Sequence, residues 1–149
     1  MLLTVSSNWG ADWLWSLPLI VLTVVIHAFG LGFIDHRLTL FVHNRRRGRL
    51  PPALSMLVIG GAAFWATMLH AFESSLWACA YLLLGALTGR QNAMLYSLNA
   101  MTSYGHADIY LEQRWQLMGG LECLNGWILF GLTTAFLFNA IKRVLPHID

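Results

Sequence analysis

Charge is what this sequence has least of. Asp, Glu, Lys and Arg make up 11% of its 149 residues, while 57% are hydrophobic. The mean hydropathy is +0.59. A soluble domain carries about 25% charged residues, so the composition excludes one and predicts an integral membrane protein. The length excludes more than one domain. Cysteine is nearly missing as well. Cys79 and Cys123 both fall in apolar segments, which argues against a disulfide framework or a thiolate metal site and predicts buried packing. Residues 1–12 hold no Lys or Arg, so the positive region of a cleavable signal peptide is missing. There is no internal repeat and no low-complexity segment. No nucleophile with its base, no phosphate-binding loop and no zinc spacing can be found. The expectation is a protein that is not an enzyme, with no metal and no cofactor.

What is present is apolar sequence in long runs. Trp9, Trp13 and Trp15 read as an interfacial belt. The run from Trp13 to Ile34 is 22 residues, enough to cross about 30 Å of hydrocarbon at about 1.5 Å per residue. Pro18 sits in its first turns, where a missing N–H does least damage. A loop from Asp35 to Pro52 follows, with Arg37, Arg45, Arg46, Arg47 and Arg49. Such a cluster can contact nucleic acid or anionic lipid. Beside a membrane span it more simply marks the cytoplasmic side, and no nucleic-acid partner is expected.

Ala53 to Leu87 is 35 nearly continuous apolar residues. Two spans would need about 40 residues and a turn. One long, tilted helix fits, with Trp77 and Tyr81 at the outer interface; a break at Glu73-Ser74-Ser75 is the alternative. Thr88-Gly89-Arg90 turns the chain. Gln116 to Ile141 is the third span, closed by Lys142 and Arg143. An N-terminus outside and a C-terminus inside satisfy both basic clusters.

Between the second and third spans lies Gln91 to Asp108, QNAMLYSLNAMTSYGHAD. It opens as a helix too short to span a bilayer. It closes in small and turn-forming residues. Lipid cannot bond exposed N–H and C=O groups, so irregular backbone at membrane depth must be buried in protein or line a water-filled path. The stretch is either a re-entrant pore loop or a loop above the membrane surface.

Laid without gaps on EALYFSLVTFTTLGYGD, a pore region of small bacterial potassium channels, Asn92 to Asp108 matches at Ala93, Ser97, Leu98, Thr102, Gly105 and Asp108, with Ser103 for Thr. The run from Trp115 to Phe138, WQLMGGLECLNGWILFGLTTAFLF, is similar to the WRLLGALEALNGLLLFGWSTALLF of the same proteins. His70 to Leu87, HAFESSLWACAYLLLGAL, is similar in character to their outer helix. The chain thus resembles the potassium-channel family over about residues 53–141, and more weakly over its first helix.

The resemblance implies an all-α fold of three transmembrane helices plus a re-entrant pore helix and filter loop. Residues 1–52 are an N-terminal helix and a basic loop. Residues 53–149 are the pore module, with outer helix 53–87, pore helix 91–101, filter 102–108 and inner helix 116–141. It implies a homotetramer in the bilayer of a bacterial inner membrane. Potassium or another monovalent cation would move along filter carbonyls, which replace the ion's hydration shell.

The filter departs from the family. It reads Thr102, Ser103, Tyr104, Gly105, His106, Ala107 and Asp108, so the tyrosine is His106 and the second glycine is Ala107. Alanine at positive φ costs about 1 kcal/mol or more. Four copies of His106 would ring the mouth, repelling cations when protonated. Thr102 and Ser103 are hydroxyls at the inner entrance, or a helix cap followed by a turn. Asp108 concentrates cations, or is an ordinary loop carboxylate.

Glu122, Asn125 and Thr133 share one face of the third span. Glu122 would lie behind the filter and brace the pore helix, or serve as interhelical hydrogen-bonding glue. Gly126 and Gly131 are hinges or close-packing points. Thr133 and Thr134 face the inner cavity. His27 and His70 raise a haem held between two helices. With these helix ends, His27 lies about 12 Å from the cytoplasmic end of its helix and His70 about 25 Å above the start of the next. The depths disagree, so a satisfied buried histidine is expected at each. Three functions follow: a conducting cation channel, a channel-fold protein with a non-conducting structural or regulatory role, and a membrane haem protein.

Overall fold

The computed structural model describes residues 9–44, 51–105 and 108–145. Among them the chain is all-α. Helix α1 is Trp9–Asn44, α2 is Pro52–Leu83, α3 is Arg90–Thr102 and α4 is Gln116–Val144, with a single 3-10 turn at Gln113–Trp115 before α4. The regions of α1, α2 and α4 are each long and apolar enough to cross a membrane. At helical rise they measure about 54, 48 and 44 Å, against a hydrocarbon core of about 30 Å. Trp9, Trp13 and Trp15 are exposed on α1.

Several element ends differ from the expected ones. The loop expected from Asp35 is helix as far as Asn44. Charged side chains do not end a helix by themselves. Here Leu38 is buried with Ala140 and Val144, and Asp35 pairs with Arg143 at 2.9 Å. The arginines at 45, 46, 47 and 49 lie outside the described residues. Helix α2 runs through Glu73-Ser74-Ser75 without a break and stops at Leu83 rather than Leu87. Gly85, at φ 66°, takes the left-handed turn. The Ala86 N–H then reaches back to the Tyr81 carbonyl at 2.9 Å, a glycine-assisted C-terminal cap. Trp77 and Tyr81 do not mark an interface: both are 0% exposed. Cys79 is exposed and Cys123 half-buried, so neither is the core residue expected.

The chain forms two compact units, 1–24 with 72–128 and 25–71 with 129–149. In the second, Leu31, Ala62, Ala66 and Phe136 make one cluster and Leu38, Ala140 and Val144 another. Small residues set the approach of α1 to α2 here. A Cβ on Gly30 would meet the Leu69 side chain at 2.6 Å. The Trp65 indole N–H also donates to the Gly30 carbonyl at 3.0 Å. Small residues of this kind let membrane helices pack closely where no hydrophobic force drives them together.

In the first unit a carboxylate caps a helix from a distance. The Met118 N–H, in the first turn of α4, donates to Asp12 Oδ1 at 3.2 Å. The first four N–H groups of a helix lack partners within it, and an acceptor there also meets the positive end of the helix dipole. Asp12 itself is buried. Asp12→Ala should destabilise the protein by about 1 kcal/mol, with Asp12→Asn recovering most of it. Reversible unfolding in mixed micelles checks the order of the three proteins.

Candidate functional site

Helix α3 is held by one face. Ala93, Tyr96, Ser97, Ala100 and Met101 are its buried residues, a spacing of three and four that lies along a single stripe. The helix has few large apolar side chains, and polar contacts do much of the positioning. Glu122 of α4 is fully buried. Its Oε2 accepts the Tyr81 hydroxyl at 2.5 Å, and its Oε1 accepts the Ser97 hydroxyl. Ser97 also lies 2.8 Å from the Ser74 carbonyl. The hydroxyl has one proton, so these two acceptors share it. One carboxyl group thus ties α2 and α3 to α4.

Close backbone approach does the rest. A Cβ on Gly126 would overlap the Met101 carbonyl at the end of α3, and one on Gly119 would overlap the Tyr96 hydroxyl. The rings of Tyr81 and Tyr96 meet edge to face at 5.3 Å. The Ser74 hydroxyl lies 3.3 Å from the Met101 sulfur. Gly126 is therefore a packing glycine, whereas Gly131 has open space around it.

After α3 the chain leaves the helix by a left-handed residue. Ser103 has φ 55°, with its N–H on the Ala100 carbonyl at 3.0 Å and the Tyr104 N–H on the Asn99 carbonyl at 3.1 Å. Thr102 is still helical, and its hydroxyl bonds back to the Leu98 carbonyl at 2.7 Å. The Ser103 hydroxyl accepts the Trp127 indole N–H at 3.0 Å. Gly105 has φ 93°, a conformation that favours glycine. Thr102 to Gly105 are all exposed, Tyr104 at 86%. Asp108 is exposed too. His106 and Ala107 lie outside the described residues.

The polar face expected on α4 is buried, as Glu122, Asn125 and Thr133 are, but it is divided among partners. Glu122 goes to α3. The Asn125 amide donates to Thr23 of α1 at 2.8 Å, so it takes no part in the Ser97 contact, and its Oδ1 is buried without a partner among the described residues. Thr133 does not face a cavity. It accepts or donates at both His27 Nε2, 2.8 Å away, and His70 Nε2, 3.1 Å away. Thr134 is exposed and bonds back to the Phe130 carbonyl.

His27 and His70 do not lie at the unequal depths expected. Because α1 continues to Asn44, His27 lies about 25 Å from that end, and His70 about 27 Å from Pro52. The rings meet, with centroids 4.8 Å apart and planes at 49°. A haem does not fit between them. Two in-line metal–nitrogen bonds of about 2 Å, with the ring radii added, need centroids about 6 Å apart.

The sequence reading missed the polar stripe of α1. Asp12, Ser16, Thr23 and His27 are all buried, at separations of four, seven and four. That spacing in an apolar helix marks one face and was the signal available.

Glu122→Ala would leave the Tyr81 and Ser97 hydroxyls buried beside an empty space, at about 1–3 kcal/mol for each. Glu122→Gln should restore part of this. Gly126→Ala should cost about 1–3 kcal/mol through overlap with backbone that cannot rotate away. Thermal unfolding in detergent checks all three; Glu122→Ala as stable as the native protein would show that the carboxyl does not hold α3. No family model, no curated protein and no solved structure matches the chain.

Proposed function

We propose that the chain is one subunit of a tetrameric cation channel built like the small bacterial potassium channels. In this reading α2 is the outer helix, α3 the re-entrant pore helix, 102–108 the filter and α4 the inner helix. The observation that carries it is the end of α3. A 13-residue helix, held from behind by Glu122, runs into a left-handed Ser103 and a Gly105 at φ 93°. The exposed stretch 102–105 follows from it. In potassium channels such a run turns successive carbonyls toward an axis shared by four subunits, and its glycine sits where Gly105 does here. The exposure of Tyr104 on a single chain accords with neighbouring subunits covering it.

Glu122 has the bracing role in this reading, because both its oxygens are taken by Tyr81 and Ser97. Asn125 and Thr133 are structural, since α1 and the histidines occupy them. Potassium or another monovalent cation is the transported ion, and no resident cofactor is required. The sequence positions of Arg45, Arg46, Arg47 and Arg49, with Lys142 and Arg143, support an N-terminus outside and a C-terminus in the cytoplasm. The resemblance makes the membrane the bacterial inner membrane.

A second reading rests on the substitutions His106 and Ala107 in the sequence. A filter whose outer glycine is replaced fits a channel-fold protein that no longer conducts and serves as a structural or regulatory membrane partner. Ion flux separates the two. In liposomes with a potassium or sodium gradient, the tetrameric protein should pass cations at pH 8. Gly105→Ala, strained at its positive φ, should abolish the flux. Flux should fall at pH 5.5, because imidazole titrates near pH 6.5 and a protonated His106 ring repels cations. No flux of either ion at either pH, from tetramers reconstituted in both orientations, would favour the non-conducting reading.

A further inference from the structure

The end of α3 carries two hydroxyls, and both are engaged within the chain. Thr102 donates to the Leu98 carbonyl, one turn back, at 2.7 Å. Ser103 accepts the indole N–H of Trp127, on α4, at 3.0 Å, while its own backbone N–H is taken by the Ala100 carbonyl. The position of Trp127 is fixed by its neighbour. Gly126 sits against the Met101 carbonyl with no room for a Cβ, so the indole is held where the chain leaves α3. Trp127 is 70% exposed and Ser103 is exposed as well. The pair therefore lies on the outside of this chain, at the start of the run from 102 to 105.

An indole nitrogen can only donate, and a serine oxygen has one proton and two lone pairs. With the Trp127 N–H directed at it, the Ser103 oxygen has a positive hydrogen along one lone pair. A cation needs that same lone-pair density, so the bond makes Ser103 a poorer cation ligand. The Thr102 hydroxyl is withdrawn in another way, folded back on its own helix. The channel sequence laid on this one has leucine where Trp127 stands and threonine where Ser103 stands. Leucine has no N–H to give, so the hold on Ser103 comes from a residue particular to this chain.

Resting on the channel reading, we propose that Trp127 is a specificity-determining residue of the pore. Its indole N–H keeps the Ser103 hydroxyl away from the ion, and the inner entrance of the filter is left to backbone carbonyls. Across four chains the bond withdraws four hydroxyl oxygens from one ion, and the number and field strength of coordinating oxygens bear on the choice between potassium and sodium. A filter so depleted discriminates less sharply in favour of potassium.

The test uses the full chain, assembled as tetramers in planar bilayers. The potassium-to-sodium permeability ratio is read from the reversal potential with one ion on each side. Trp127→Phe keeps an aromatic ring and removes the N–H. It should raise the ratio by about fivefold, the factor that one ordinary hydrogen bond supplies. Adding Ser103→Ala to Trp127→Phe should bring the ratio back down, because the released hydroxyl is then gone. An indole with a merely structural role would alter the current without moving the reversal potential. The bond itself is followed in detergent through the Trp127 indole nitrogen-15 and proton resonances, which should shift in Ser103→Ala. Should Trp127→Phe fail to assemble, Trp127→Leu takes its place with the same expected rise. An indole resonance unmoved by Ser103→Ala would overturn the proposal whether or not the protein conducts. A conducting native protein whose ratio is unchanged on loss of the indole would overturn it and leave the channel reading standing. No current from the native tetramer would sink the channel reading, and this inference with it.

Discussion

A carboxyl group shut away from water must find hydrogen-bond donors or the segment carrying it will not stay buried. Glu122 is in that position, and it meets the requirement by taking hydroxyls from two other helices, Tyr81 on α2 and Ser97 on α3. The placing of α3 rests heavily on this. The helix reads RQNAMLYSLNAMT, which offers little apolar surface to drive it against its neighbours. Side-chain hydrogen bonds and close backbone packing take over that part, as they do generally where the solvent is itself apolar. Gly126 and Gly119 complete the seat, because any Cβ there would hold α3 off by its own width. What leaves α3, the exposed run through Ser103 and Gly105, is aimed by how that helix is held.

The same economy recurs on α1. Its buried stripe sends Asp12 to a free N–H at the start of α4 and Thr23 to the amide of Asn125. Both are polar links at sites where an apolar contact would gain little over lipid. The stripe continues to His27, which shares the Thr133 hydroxyl with His70. Asp12, Thr23, His27, Glu122, Asn125 and Thr133 can each be followed to a named partner, while among the described residues Ser16 Oγ and Asn125 Oδ1 are buried and unpaired. A buried polar network is costly if it is half made and specific if it is complete. That cost is why its members sit in narrow rows rather than scattered over the helices.

Helix ends account for most of what the sequence reading had wrong. A change from apolar to charged residues at Asp35 looked like the edge of a span. The helix ignored it, because Leu38 packs on Ala140 and Val144 and Arg143 meets Asp35 beyond the apolar stretch. That ten-residue extension moved His27 relative to the end of its helix and removed the reason for keeping it apart from His70. Trp77 and Tyr81 looked like interfacial aromatics and are core residues, with Tyr81 needed as a donor to Glu122. Thr133 was legible as a polar residue on the face of Glu122 and Asn125, but its partners were not.

Apolar run length and small-residue turns are local properties, and the sequence alone determined them: three helices long enough to cross a membrane, a short fourth between the second and third, and the turns at Gly89 and Gly105, though not the earlier one at Gly85, where the apolar run continues to Leu87. Hydrogen bonds between side chains are directional and join residues that can be a hundred positions apart, as His27 and Thr133 are. Periodicity can put Glu122, Asn125 and Thr133 on one face, yet nothing in it says that one turns to α3, another to α1 and the third to a pair of imidazoles. That division was left to the tertiary structure, because it depends on which donor lies within about 3 Å of which acceptor once the backbones have packed.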